Sequence, residues 1–415
     1  MSINKDSQKA PNLRFKGFTD DWKQRKLGKI ADVKDSARIS NELWVENGIP
    51  YLRSSDLVNG ELNGELFISN DTYEKYASKT GAPQKDDVLF TSGGKVGIVY
   101  HKMDDSPVYV QGGAVLYVKT STSVLLEGSF LSVYFSSPKM QLYLDIASSG
   151  GTIKHFTLKP ANSSPIVFPS ISEQSKIGQF FKTLDDTITL HQRKLDQLIQ
   201  LKEALLQQMF PGKGETVPKL RFAGFEGDWE QRKLGSIYDF SKGKGLPLDS
   251  FTHSKDDPAI AYGHLYTKYS EVISEVYLSS DDDGVLSKEN DLLFPGSSTV
   301  PNGTAQANAI MLNNVKLGGD IIIARPKQDI RVLSIFMSYQ INSQRQKLFP
   351  ITVGTTIAHM YGKDLSKVKF FMTNYSEQEK IGSFFQYLDD TITLQQRKLD
   401  QLQNMKQVLL QNMFI

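Results

Sequence analysis

The 415-residue chain contains no cysteine. This absence excludes disulfide bonds, thiolate nucleophiles, iron–sulfur clusters and cysteine-based zinc sites together. No apolar run approaches the roughly 18 residues of a membrane span, and the beginning of the chain lacks the apolar segment of a signal peptide. Neither sign of charge dominates, since 48 Lys and Arg face 46 Asp and Glu, which excludes a histone-like polybasic protein. We therefore expect a soluble cytoplasmic protein with no membrane partner.

The motifs of nucleic-acid enzymes are absent as well. Gly-Lys occurs five times but is never followed by Ser or Thr, so the sequence has no phosphate-binding P-loop. No Pro-Asp dipeptide anchors the carboxylates of a metal-dependent nuclease, and no Asn-Pro-Pro-aromatic motif holds an amine for methyl transfer. The six histidines show no metal-ligand spacing on one helix. The sequence predicts no catalytic residue, no metal site and no cofactor in this chain.

An internal duplication organises the chain. Residues 11–30 match residues 218–237 at 14 of 20 positions, and residues 173–210 match residues 377–414 at 27 of 38 positions. The offsets, 207 and 204 residues, indicate two tandem copies of a whole domain rather than a short-period solenoid. Between the matching ends the copies diverge, which favours one scaffold carrying two different recognition surfaces over simple drift.

The matching C-terminal stretches predict two long helices. Apolar residues recur in steps of four and three, with one gap near Lys202, and Thr189 to Met209 contains neither Gly nor Pro. The first seam is Leu184, Ile188, His191, Leu195, Leu198, Leu205 and Met209, and the second is Leu388, Ile392, Gln395, Leu399, Leu402, Leu409 and Met413. A helix of about 36 residues is roughly 54 Å long, and each copy offers the other a partner. We expect an intramolecular helix pair.

The middle of each copy predicts short strands and polar, Gly-rich loops. Segments such as VYVQGGAVLYV, PIVFP and GDIIIARP are β-branched and bounded by Gly or Pro. Loops at matching places carry side chains that donate to base edges or phosphates. The candidates for DNA binding are Arg53, Ser54, Ser55, Ser92, Lys95, Lys154 and His155 in the first copy, and Tyr262, His264, Ser297, Ser298, Thr299, Thr355, His359 and Tyr361 in the second. Each loop taken alone favours an ordinary turn, and only their occurrence at equivalent positions of a duplicated domain supports a binding surface.

With these features assembled, the sequence resembles the specificity subunits of type I restriction–modification systems. The resemblance is carried by the LRFxGFxxxWxxRKLG openings (13–28 and 220–235), the EQxKIGxFFxxLDDTITLxQRKLDQL stretches (173–198 and 377–402), and GTTIAHMYGKDL (354–365). It covers essentially the whole chain. The first copy departs from it at GGTIKHFTLKP, so loop contacts inferred for residues 354–365 transfer to that copy less directly.

The resemblance implies an α+β protein with two tandem mixed α/β target-recognition domains, separated by two long helices that form an antiparallel intramolecular coiled coil. The expected domain bounds are 1–170 and 218–373, with spacer helices at 171–210 and 374–415 and a linker at 211–217. Each domain would read one half of an asymmetric, bipartite sequence in double-stranded DNA.

The resemblance also implies partners. Two methyltransferase subunits would dock, with S-adenosylmethionine bound there for methylation of adenine N6, and restriction subunits would add ATP- and Mg-dependent translocation and cleavage. Exposed helix residues are candidates for the methyltransferase contact, although their pattern favours a solvated helix face. They are Arg193, Lys194, Arg397 and Lys398.

Two other functions remain open on the residues alone. A coiled-coil scaffold with two protein-binding domains would bind no specific DNA, and the lack of a strong basic run favours it mildly. A nuclease with dispersed carboxylates would cleave DNA in isolation, and the absent motifs count against it. The GF…W clusters, Phe18 with Trp22 and Phe225 with Trp229, are interpreted as packing between the opening of each domain and the helix pair.

Overall fold

The computed structural model describes residues 10–58, 64–150, 154–254, 256–300, 302–354 and 356–415. The chain divides into two compact units. Unit 1 is Met1–Gln192 together with Lys398–Ile415, and unit 2 is Arg193–Arg397. Each unit therefore combines one globular α/β part with segments of both long helices. Predicted strands within VYVQGGAVLYV, PIVFP and GDIIIARP are confirmed.

Unit 1 is built around an antiparallel sheet of order β2-β10-β6-β8, beside a second sheet of order β3-β5-β4-β9. Its strands are β1 (Lys23–Lys26), β2 (Asp32–Asp35), β3 (Trp44–Val45), β4 (Ile49–Leu52), β5 (Phe67–Ile68), β6 (Val88–Thr91), β7 (Gly93–Gly94), β8 (Val99–His101), β9 (Tyr109–Val110), β10 (Val115–Lys119), β11 (Lys154–His155) and β12 (Pro165–Phe168). Its helices are α1 (Ser54–Val58), α2 (Asn70–Thr80), α3 (Gly128–Phe135), α4 (Pro138–Ala147), α5 (Leu158–Ser163) and the start of α6 (Ile171–Gln208), with 3₁₀ turns at Leu27–Lys29 and Asn41–Leu43.

Unit 2 repeats this plan with a sheet of order β14-β22-β18-β20-β16, beside β15-β21-β17. Its strands are β13 (Glu230–Lys233), β14 (Tyr238–Lys242), β15 (Ala259–Ile260), β16 (Val272–Ile273), β17 (Val285–Leu286), β18 (Asp291–Pro295), β19 (Ser297–Ser298), β20 (Asn308–Ile310), β21 (Lys316–Leu317), β22 (Ile321–Pro326), β23 (Ala358–His359) and β24 (Lys369–Met372). Its helices are α7 (Leu234–Ile237), α8 (His264–Thr267), α9 (Ser334–Ser343), α10 (Gly362–Leu365) and the start of α11 (Tyr375–Asn412), with 3₁₀ turns at Leu248–Ser250, Arg345–Lys347 and Phe349–Ile351.

The two long helices are 38 residues each, which confirms the prediction from the apolar spacing. Within unit 1, Phe181 contacts Phe414, and Asp185 lies 2.5 Å from Lys406. Moving forward along α6 therefore means moving backward along α11. Unit 2 has the same order, because Phe385 contacts Phe210 and Asp389 lies 2.6 Å from Lys202. The helix segments pack antiparallel in each unit, as predicted.

At the gap in the apolar seam near Lys202, unit 2 contains a network of ion pairs. The Lys202 ammonium lies 2.6 Å from Asp389 and 3.1 Å from Glu271, and the Tyr339 hydroxyl donates to Asp389 at 2.6 Å. Burial acts to lower the pKa of Lys202, but the two carboxylates outweigh it and raise that pKa. A charged residue is tolerated at this seam position because its partners are supplied by the second helix and by the segment before β16.

The core of each unit is closed by the end of the helix that begins in the other unit. In unit 1, Phe414 at the end of α11 packs against Trp22 and Phe130. In unit 2, Phe210 after α6 packs against Trp229 and Phe336. Both tryptophans are almost fully buried, so the interpretation of the GF…W clusters as packing is confirmed and stacking of these rings on bases is excluded.

The matched ends of the two copies are explained by one repeated contact. The Arg14 guanidinium donates two hydrogen bonds, of 2.6 and 2.7 Å, to the buried carboxylate of Glu173 at the start of α6. Arg221 makes the equivalent pair with Glu377 at 2.6 and 2.8 Å at the start of α11. A bidentate pair with a buried carboxylate tolerates few substitutions. The opening of each domain is thereby fixed to the first turn of its helix.

Candidate nucleic-acid interface

In unit 1 the structure joins two candidate loops that are 60 residues apart in sequence. Strand β7 pairs with β11, so that Gly94 lies opposite Lys154 and Gly93 opposite His155. The Phe156 N–H donates to the Ser92 carbonyl at 2.7 Å and extends the ladder by one residue. Glycine suits β7 because a Cβ on Gly93 would lie 3.3 Å from the His155 ring.

Unit 2 assembles the equivalent loops with the same backbone contacts. Strand β19 pairs with β23, with Ser297 opposite His359 and Ser298 opposite Ala358. The Met360 N–H donates to the Gly296 carbonyl at 2.9 Å, as Phe156 does to Ser92. We call β7 with β11, and β19 with β23, the loop pair of each unit.

A third segment approaches the loop pair through one residue in unit 1. The Ala114 carbonyl accepts from the Ser92 N–H at 2.8 Å and from the Ser54 hydroxyl at 2.7 Å. The segment containing Arg53, Ser54 and Ser55 is therefore adjacent to the loop pair, a proximity that the sequence does not reveal.

The candidates of unit 1 differ in exposure. Lys95, Lys154, His155 and Ser55 are exposed, whereas Ser92 is buried. Lys154 forms an ion pair with Asp145, but the Lys95 ammonium makes no ion pair with any residue that the structure describes. Among the described residues of this loop pair, Lys95 thus differs from the equally exposed Lys154 in having no carboxylate partner.

Arg53 is held by two carboxylates. Its guanidinium donates to the buried Asp56 at 3.0 Å and to Glu65 at 2.8 Å. The hydrogen bonds that Arg53 donates to Asp56 and then to Glu65 raise the pKa of Arg53. Its side chain is 29% exposed, and the two carboxylates are bound through Nε and Nη2, so the Nη1 amino group is not engaged by them.

The candidates of unit 2 divide in the same way. Ser297 and Ser298 are buried, and the Ser297 hydroxyl donates to Asp320 at 2.8 Å. Thr299 and Tyr361 are exposed, and His359 is half-buried. Thr355 lies outside the described residues. The buried serines hold the backbone of the loop pair, and the exposed residues form its surface.

Tyr262 and His264 follow β15 and are half-buried. Tyr262 lines a cleft of about 400 Å³ together with Lys242 and Asp320. The His264 ring packs against Phe251 at 6.3 Å, and burial, with a smaller contribution from Lys268, lowers its pKa below the ordinary value. His264 therefore favours the neutral form, which both donates and accepts hydrogen bonds.

Three charged residues near this loop pair were missed by sequence reasoning. Lys242, Asp320 and Lys363 line a second cleft of about 510 Å³ with His359 and Tyr361. Lys242 ends β14, and Asp320 follows Gly318-Gly319 just before β22. Asp320 lies in GGDIIIAR (318–325), which echoes GGAVLYVK (112–119) of the first copy, and Lys363 lies in GTTIAHMYGKDL (354–365), but neither residue was chosen as a candidate. It is the folding of the sheet that brings these three charged residues to one cleft.

The candidates for partner binding lie on the two long helices. Arg193, Lys194, Arg397 and Lys398 are all exposed. They are identical in the two copies, as is the exposed pair Leu190 and Leu394 at 66% and 68% exposure. Exposed positions need no particular residue for packing, so this identity is consistent with a surface used twice.

Among the residues that the structure describes, no cluster of three or more His, Asp or Glu has a metal-binding arrangement. Over the same residues, no helix combines the length and the apolar character that a membrane span requires.

Comparison with known protein families decides the class of this chain. The family described as type I restriction modification DNA specificity domain matches residues 19–200 and 226–404, one match per copy. The chain belongs to this family. Its two-domain organisation is therefore the duplication of one specificity domain, and the resemblance inferred from the repeated ends is confirmed.

Relatives and solved structures agree with this family. The chain is 28% identical over 174 residues to the type I restriction enzyme EcoBI specificity subunit of Escherichia coli, covering 40% of this chain and 36% of that protein. It is 23% identical over 207 residues to the MjaVIII specificity subunit of Methanocaldococcus jannaschii, covering 47% and 46%. The chain thus spans less than half the length of the curated relatives it matches.

One solved structure matches the fold along its length. It is the S subunit of a type I restriction–modification system from M. genitalium, with a TM-score of 0.65 and 14% identity over 98% of this chain and 99% of that one. At this identity the likeness establishes the fold of the specificity domain family alone.

Proposed function

We propose that this chain is the non-catalytic, DNA-reading subunit of a type I restriction–modification enzyme. The recognition domains, residues 1–170 and 218–373, each read one half of an asymmetric, bipartite target in double-stranded DNA. The loops around the loop pairs contact the bases in the major groove, through Arg53–Ser55, Lys95, Lys154–His155, Tyr262, His264, Thr299 and Thr355–Tyr361. The buried Ser92, Ser297 and Ser298 keep these loops in place.

One observation carries the proposal. The two units build the same backbone ladder from the same parts of the sequence, but they place different side chains on it, Gly93 and Lys95 against Ser297 and Thr299. Simple drift would also have changed the exposed helix positions, but exposed residues such as Leu190 and Leu394 stayed identical while Lys95 and Thr299 on the ladders differ. Two domains that recognise different DNA sequences require the same backbone ladder with different side chains on it, because the edges of different bases present different donors and acceptors.

The partners follow from the repeated helices. Two methyltransferase subunits dock on the surfaces that include Arg193, Lys194, Arg397 and Lys398, and restriction subunits complete the enzyme. S-adenosylmethionine, ATP and Mg bind to those subunits in the cytoplasm, not to this chain. The near-neutral charge of this chain fits a division in which the partners supply most phosphate contacts.

The test is co-expression with the adenine methyltransferase subunit, followed by base-resolution mapping of N6-methyladenine on total DNA. We expect a new methylated motif in two unequal halves separated by unspecified bases. A stable complex that methylates no defined motif would overturn the proposal and favour the protein-binding scaffold. DNA cleavage by the isolated chain in the presence of Mg²⁺ would favour a nuclease.

We expect Lys95→Ala to weaken recognition of the first half-site by about 5- to 150-fold, the factor that corresponds to one good base contact. Lys95 is exposed on the loop pair of unit 1, so its removal leaves the fold and the second half-site unchanged. Lys75→Ala, which removes an exposed lysine from α2 of the same unit, is the matched control. Equal methylation of variant and wild type at limiting enzyme would refute this role for Lys95.

A further inference from the structure

The two units differ in charge at one pair of equivalent positions beside their loop pairs. In unit 1, Asp35 on β2 lies opposite Leu116 on β10. In unit 2, Lys242 on β14 lies opposite Ile322 on β22. Because β10 and β22 are equivalent strands, Lys242 occupies the place of Asp35.

The next equivalent position differs as well. In unit 1 the first N–H after β6 is that of Ser92, and it donates to the Ala114 carbonyl at 2.8 Å. In unit 2 the corresponding carbonyl belongs to Asp320, at 2.6 Å from the Gly296 nitrogen. Unit 2 thus carries a carboxylate where unit 1 has a methyl group.

The Asp320 carboxylate is both fixed and accessible. It accepts from Lys242 at 2.7 Å and from the buried Ser297 hydroxyl at 2.8 Å, and 44% of its side chain is exposed. The Lys242 ammonium, assisted by Ser297, lowers the pKa of Asp320, which keeps it ionised and able only to accept. A carboxylate has about four acceptor positions, so two remain for a ligand.

The surroundings of Asp320 fit the edge of a base pair. Two clefts share Lys242 and Asp320, one lined by Tyr262 and the other by His359 and Tyr361. The carboxylate therefore stands between candidate residues of two loops, the half-buried Tyr262 on one side and the half-buried His359 with the exposed Tyr361 on the other. An acceptor at such a position selects for an amino donor, and a methyl group at the same position does not.

We propose that Asp320 accepts a hydrogen bond from an exocyclic amino group, N4 of cytosine or N6 of adenine, in the second half-site. Ser297 is a positioning residue that fixes the carboxylate. The inference rests on the proposed function and extends it by naming a specificity-determining residue of unit 2. It also gives a chemical reason for unequal half-sites, because unit 1 has Ala114 and Asp35 in the two equivalent places.

The test compares motifs methylated by the complete complex with the methyltransferase subunit, carrying wild-type chain, Asp320→Ala, Ser297→Ala or Asp329→Ala. Asp329 is an exposed carboxylate of the same unit and serves as the matched control. We expect Asp320→Ala to lose about 5- to 150-fold preference at one position of the second half-site. That position is cytosine or adenine in the wild-type motif, and the map shows which. Ser297→Ala should loosen the same position less.

The outcomes separate the two proposals. A wild-type motif that Asp320→Ala leaves unchanged, or weakens equally at all positions, would overturn the role of Asp320 while the proposed function stands. Absence of any bipartite motif from the wild-type complex would overturn the proposed function and this inference with it. An unchanged first half-site in Asp320→Ala shows that the variant is folded and assembled.

Discussion

Replacing Phe414 with alanine is expected to lower the free energy of unfolding of unit 1 by about 3–5 kcal/mol, the usual cost of removing a buried phenyl ring. The ring is 7% exposed and contacts Trp22, Phe130 and Phe181. The ring closes the core of unit 1, so the penalty is that of a central residue.

Hydrogen exchange resolved by unit is the measurement for this prediction. Amides of β6 and β10 should lose protection in Phe414→Ala, while those of β18 and β22 in unit 2 keep it. Val408→Ala, at a position 57% exposed on the same helix, is the control and should change little. Phe210→Ala should produce the reverse pattern, because Phe210 closes unit 2. Equal loss of protection in both units would contradict the assignment.

Glu377→Ala is expected to destabilise unit 2 by about 3–5 kcal/mol, the range for breaking a buried ion pair by removing one partner. The carboxylate is fully buried and accepts two hydrogen bonds from Arg221. Its loss leaves the guanidinium, which is only 12% exposed, without its main counter-charge. The opening of the second domain then loses its ion pair with α11 and keeps ring contacts such as Phe222 with Phe384.

Hydrogen exchange of the β18 and β22 amides measures this effect in unit 2 alone, whereas tryptophan fluorescence would also report Trp22 and Trp44 of unit 1. Glu379→Ala is a closely matched control, since Glu379 lies two residues along the same helix and is exposed. The control should stay within about 0.5 kcal/mol of wild type. Replacing both Arg221 and Glu377 with apolar residues should restore part of the lost stability, because no unpaired charge then remains. A double variant less stable than Glu377→Ala would argue against the pair as the cause.

Apolar spacing made the long helices predictable. Leu184, Leu195 and Met209 are buried as the seam requires. Lys202 interrupts the apolar spacing, and its charge is paired with carboxylates from other segments. Local sequence determines such a helix because each seam residue is three or four positions from the next. The partners of Lys202 come from more than 60 residues away, so no periodicity indicates them.

The surface residues of the loops were less predictable from the sequence than the long helices. Lys95 and Tyr361 are exposed, as a reading surface needs, but Ser92, Ser297 and Ser298 are buried. A serine in a Gly-rich segment has the same local pattern whether its hydroxyl supports a turn or contacts a ligand. Asp320 and Lys242 were overlooked because Asp320 differs from its counterpart Ala114 within the echoed segment and Lys242 ends a strand, and only the pairing of β14 with β22 brings them together.

The sequence by itself determined the duplication, the two long helices, the absence of known catalytic motifs and the family, because each of these is recorded in residue type or in short-range spacing. The tertiary structure alone decided that each core is closed by the far end of the other copy's helix, as Phe414 and Phe210 do. It also decided which polar groups stand at the surface of each loop pair. Strand pairing and burial depend on contacts between segments that are distant in the sequence, and no local sequence pattern predicts the free energy of such contacts.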